Sequence, residues 1–76
     1  MEKFLKDFVP GEVGSVVKIS NTGKIKRRLY DMGITPGSEI KLLKVAPMGD
    51  PLCILIRGYD LSLRKDEAAE VLMEVK

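Results

Sequence analysis

Hydrophobic and polar positions alternate along most of this chain, and the places where alternation fails mark its corners. After a Pro10–Gly11 turn, apolar residues fall at Val13, Val17 and Ile19, with Ser15 in the remaining inward place, which predicts a strand. Asn21 or Thr22 follows as the expected helix N-cap. Over about residues 23–32 the period changes: at ~100° per residue Ile25, Leu29 and Met32 share one stripe, so a short helix is expected there. Lys26, Arg27 and Tyr30 then project to solvent, and Arg28 sits beside the stripe with its stem along apolar surface.

The segment "MGITPGSEI" ends that helix. Gly33 falls at C′, where a left-handed residue is cheapest as glycine, and a Schellman cap would pack Ile34 on Leu29. Pro36 and Gly37 suit the central positions of a type II turn. "SEIKLLKVA" alternates at Ile40 and Leu42 and then slips phase to Leu43 and Val45, the signature of a bulge. "PLCILIR" is apolar on both faces and is expected as a central strand covered on both sides. Gly58 turns the chain into "YDLSLR", which alternates at Tyr59, Leu61 and Leu63. A single helical turn over "KDEAA", capped by Asp66, precedes a last strand alternating at Val71, Met73 and Val75.

The sum is β-α-β-β-β-turn-β in one domain covering residues 1–76. Five short antiparallel strands leave costly edges unless they close, so the expected fold is mainly β: a small five-stranded SH3-like barrel, with the helix inserted between its first two strands and capping one opening. A chain of 76 residues has a thin core, so each apolar side chain matters.

Charge adds a direction. The net charge is only +2, but residues 20–45 carry six bases and two acids while residues 46–76 carry four bases and six acids. That is too little for nucleic acid and enough for a polar docking face. The best candidate is Lys26, Arg27 and Tyr30 on the helix, since tyrosine with arginine is enriched at protein interfaces. Arg57 and Tyr59 around Gly58 form a second candidate, with Tyr59 alternatively a core residue at the barrel end.

Catalysis finds little to work with. There is no histidine, and Cys53 among aliphatic residues is expected to be a small, inert core residue. No phosphate-cradling glycine loop occurs, so no cofactor is expected. Metal ligands are equally scarce; Asp66, Glu67 and Glu70 form at most a weak carboxylate cluster, better explained as helix-start acids. The start "MEKFLKDFVPGE" has no apolar run of signal-peptide type, and a cytoplasmic location is expected, with a membrane reached only through a partner.

Three pieces in order, "MGITPGSEI", "APMGDPL" and "RGYDLSLRKDEA", resemble the FeoA family, and "GEVGSVVKIS" fits that family's first strand. The resemblance implies an SH3-like barrel and an accessory role in bacterial ferrous iron uptake beside FeoB, a membrane permease with a cytoplasmic GTP-binding domain. It supplies no contact residues, so the surface candidates rest on exposure alone. Two other functions stay open: a nucleic-acid-associated barrel using the basic run, and a weak metal-binding chaperone using carboxylates. Self-association through an open strand edge stays open as well.

Overall fold

The computed structural model describes residues 1–20 and 23–76. Six strands form one antiparallel sheet: β1 Glu2–Phe4, β2 Val13–Ile19, β3 Glu39–Val45, β4 Leu52–Ile56, β5 Tyr59–Leu63 and β6 Val71–Val75, in the spatial order β1-β6-β2-β3-β4-β5. Helix α1 (Lys24–Asp31) lies between β2 and β3, and the one-turn α2 (Lys65–Ala68) between β5 and β6. Among the described residues one hydrophobic cluster runs from Leu5 and Phe8 through Leu29, Ile34, Ile40, Ile54 and Leu63 to Met73.

The strand missed from sequence is β1. Three residues are too few for a period, yet Lys3 stands opposite Met73 and Phe4 opposite Leu72, and the chain's amino group ion-pairs with Glu74 at 2.5 Å. A 3-10 turn, Leu5–Asp7, then drops the fully buried Leu5 into the core. The barrel expectation holds as a mainly β fold wrapped on one core, but β1 and β5 do not pair, so the ring of hydrogen bonds stays open between them.

The inward phase expected for β2 holds at Ile19 and fails at Val17. Gly14, Val16 and Ile19 face inward, while Val17 is 38% exposed, because a bulge between Val16 and Lys18 shifts the register against β6. Gly14 has a specific reason to be glycine: a Cβ there would lie 2.5 Å from the Glu74 carbonyl oxygen and 3.0 Å from the Phe8 ring. Phe8 fills the inward space that Gly14 leaves. The bulge expected in β3 is present, with register slipping between Leu42 and Lys44 opposite β4.

Strand β4 is flanked on both sides in the ladder, but only its Leu52, Ile54 and Ile56 are buried. Cys53 and Leu55 are half-buried on the outer face, under two open grooves of about 390 and 440 Å³. The expectation of cover on both sides, and of a buried thiol, therefore fails: Cys53 and Leu55 keep part of their surface open along that face. The last strand alternates as expected, with Val71 and Met73 buried.

Candidate functional site

Helix α1 begins with Gly23 at the N-cap; Asn21 and Thr22, the expected caps, lie outside the described residues. Its stripe is as read, with Leu29 fully buried and Ile25 and Met32 packed on the core. Burying a leucine is worth roughly 1.5–3 kcal/mol, so this single contact anchors much of an eight-residue helix. The helix ends in a Schellman motif: Ile34 N–H donates to the Leu29 carbonyl and Gly33 N–H to that of Tyr30, each at 2.9 Å, with Gly33 at φ +87°. Ile34 is fully buried beside Leu29. Thr35 to Ser38 make the type II turn, with Gly37 at φ +91° and Ser38 N–H donating to the Thr35 carbonyl.

That corner fixes what α1 shows to solvent. Arg27 is exposed and makes no ion pair among the described residues, and Tyr30 is 41% exposed. Lys26 is less exposed than expected, because its ammonium lies 5.8 Å from the Tyr30 ring centroid in an i, i+4 cation–π contact. Arg28 turns the other way. Its Nε donates to the Glu67 carboxylate at 2.8 Å, tying α1 to α2.

The three carboxylates of the weak metal cluster are already committed or apart. Glu67 is buried, pairing with Arg28 and accepting from the Arg64 N–H at 2.9 Å; Glu70 accepts from the Ser20 hydroxyl at 2.8 Å; Asp66 is exposed. Asp66 also does not cap α2. Asp50 does so from the β3–β4 loop, accepting from Lys65 N–H at 3.0 Å, alongside Glu67 on Arg64. No group of three or more metal-ligating side chains comes together among the described residues.

The second candidate surface centres on the β4–β5 hairpin. Arg57 (φ 51°) and Gly58 (φ 83°) are both left-handed, the geometry of a tight two-residue turn between Ile56 and Tyr59. Tyr59 is 69% exposed, so it is not a core residue: it takes the inward side of an edge strand, with no strand beyond it among the described residues. The Arg57 guanidinium reaches back to the Ser38 hydroxyl at 3.4 Å. Ser38, a buried polar residue that sequence reasoning passed over, also lies 3.1 Å from the Thr35 hydroxyl and donates to the Gly33 carbonyl at 3.3 Å. It joins the α1 corner to the β4–β5 turn. Two hydroxyls three residues apart around Pro-Gly were the available signal.

Elsewhere, Glu12 is held below the ordinary carboxylate value, first by the Lys3 ammonium bonded to it and then by the Val9 N–H. No described helix is long and apolar enough to cross a membrane.

The FeoA domain model matches residues 4–75. A curated relative from Porphyromonas gingivalis, an Fe(2+) transport protein A/Fe(2+) transporter FeoB fusion protein, is 30% identical over 71 residues; that match takes in 93% of this chain and 8% of the relative's length. The solution structure of a FeoA-like protein from Clostridium acetobutylicum is 42% identical, with a TM-score of 0.92 over 97% of this chain and 86% of that one. At 24% identity, FeoA of Stenotrophomonas maltophilia complexed with zinc, described as a procaryotic SH3 domain protein, shares the fold with a TM-score of 0.82 over 95% of this chain and 89% of that one.

Proposed function

The chain belongs to the FeoA family, and on that premise we propose that it serves ferrous iron uptake as an accessory protein, acting by contact with a FeoB-type membrane permease rather than by catalysis or by carrying iron. The observation that carries this reading is the Porphyromonas gingivalis fusion, in which a domain like this one shares a chain with an FeoB transporter. Covalent linkage makes their encounter intramolecular, which is useful when two domains work in contact. The absence of histidine from the sequence and the commitment of Glu67 and Glu70 to other partners argue against iron as cargo. Iron is then the permease's substrate, and this chain biases the permease by binding one of its states more tightly than another.

The docking face in this reading is α1, with the exposed Arg27 as its cation and Tyr30, braced by Lys26, as the aromatic anchor. The test is co-purification with a detergent-solubilised FeoB-type permease. Wild type is retained, and the Arg27→Glu/Tyr30→Ala double variant, which removes both contacts, loses retention by at least about tenfold. Equal retention of both removes α1 as the dock; no retention of wild type removes the adaptor reading. Raised salt slows association where Arg27 steers the encounter.

A further inference from the structure

The sheet has a free edge at β5, and what that edge presents selects its occupant. The two-residue Arg57–Gly58 loop makes Ile56 and Tyr59 the hydrogen-bonded closing pair of the hairpin. Antiparallel alternation then turns the backbone N–H and C=O of Asp60 and Ser62 away from β4, toward solvent. Both residues are exposed, and among the described residues β5 pairs with no strand but β4. Beside this row stand Tyr59, 69% exposed, and the half-buried Leu61. A five-residue edge of this kind, with no proline or lysine in it, is a template for strand addition.

We propose that β5 pairs antiparallel with β5 of a second copy of this chain, in a two-fold symmetric register centred on Leu61. Of the three symmetric registers that set outward-facing groups opposite one another, this one is satisfied. Centring on Asp60 places two carboxylates directly opposite, which is destabilising. Centring on Ser62 brings Arg64 opposite Asp60 of the copy, but the Arg64 N–H already donates to Glu67 and its carbonyl already accepts from Ala68 N–H. Centring on Leu61 sets Asp60 opposite Ser62 of the copy, twice, so four free N–H and four free C=O groups meet with no like charges opposed. In the same register Tyr59 faces Leu63 of the copy and Leu61 faces itself, covering the exposed apolar surface of the edge. Each exposed Arg64 side chain then lies diagonal to the copy's Asp60, within reach of a long side chain. The contact is isologous and self-limiting, because each molecule spends its one β5 edge. It leaves the α1 face free.

Sedimentation equilibrium between about 10 µM and 1 mM tests the pairing. The expected result is a weight-average mass rising toward twice that of the monomer for wild type. Ser62→Pro deletes an N–H that the fold does not use, and proline is tolerated on the outward side of an edge strand; this variant is expected to stay monomeric with an unchanged circular-dichroism spectrum. Should Ser62→Pro fail to fold, Asp60→Lys on its exposed side chain serves instead: it sets a cation beside the copy's Arg64 and is expected to weaken association at least tenfold, while Asp60→Lys/Arg64→Glu restores it. A monomer at 1 mM overturns the proposal. So does a dimer that survives Ser62→Pro or Asp60→Lys unchanged.

Discussion

The two edges of this sheet are built on opposite plans. At β1 the edge is only three residues long, and the chain leaves it at once for a 3-10 turn that sinks Leu5 fully into the core. The nearby α2 is tied down by Asp50, Glu67 and Arg28, and Ala68 beneath it is fully buried. At β5 the edge is five residues long and exposed, and it begins at a turn holding an arginine in the left-handed region. One edge is short and left at once for the core; the other is longer and keeps its outward polar groups available.

Substitutions should separate the two sides, and the largest effect belongs to the closed one. Leu5→Ala empties a fully buried position and is expected to cost about 2–5 kcal/mol in urea unfolding, the range for leucine truncation in cores. Glu67→Ala leaves the Arg64 N–H and Arg28 without their partner; a loss of about 1–3 kcal/mol is expected, mostly from the uncapped α2 rather than from the ion pair, since Arg28 is largely exposed. Gly33→Ala sets a side chain on a residue at φ +87°, for roughly 1–2 kcal/mol of strain, with partner binding unaffected because the space around a Cβ there is open. Were Gly33→Ala to melt like wild type yet lose the partner, the corner would be a site rather than a support.

Smaller effects belong to the open side. Arg57→Asn keeps a residue type that tolerates the left-handed region and gives up only a 3.4 Å contact to Ser38, so its melting temperature should equal or exceed that of wild type. A clear drop would mean that the Ser38 junction carries stability after all. The smallest effect returns to the closed edge, where Lys3 of β1 holds Glu12, and is a pH slope. Glu12, lowered by Lys3 and the Val9 N–H, binds protons more weakly folded than unfolded. Its contribution is complete above its ordinary value near 4.5 and is lost as pH falls through the lowered value, a slope that Glu12→Gln should remove from melts between about pH 3 and 6.

The legible parts of the molecule were those governed by local chemistry. Gly33, Pro36 and Gly37 announce their turns because positive φ or a fixed ring leaves few alternatives, and the Leu29–Ile34 contact follows from the cap. The slip from Leu42 to Leu43 gave away the β3 bulge, since two adjacent leucines cannot both face inward. What stayed hidden depends on partners distant in sequence. Val17 looks like a core residue until β6 imposes a register shift beside it. Asp66 looks like the α2 cap until Asp50 arrives from fifteen residues upstream. Tyr59 and Leu61 alternate like buried residues, and only the strand order shows that β5 has no outer neighbour among the described residues. The docking candidates split the same way. Arg27 and Tyr30 were readable from helical phase, whereas Lys26 folding onto Tyr30, and Arg57 reaching to Ser38, needed the third dimension.

The difference between the two edges is most directly measured by residue-resolved amide hydrogen exchange on the isolated chain at two concentrations. At about 10 µM the amides of Asp60 and Ser62 should exchange freely while those of Tyr59, Leu61 and Leu63 are protected by β4. At about 1 mM the Asp60 and Ser62 amides should slow and the α1 amides should not change. Protection of Asp60 and Ser62 at the lower concentration, or free exchange at the higher, would contradict an open edge that a second copy fills.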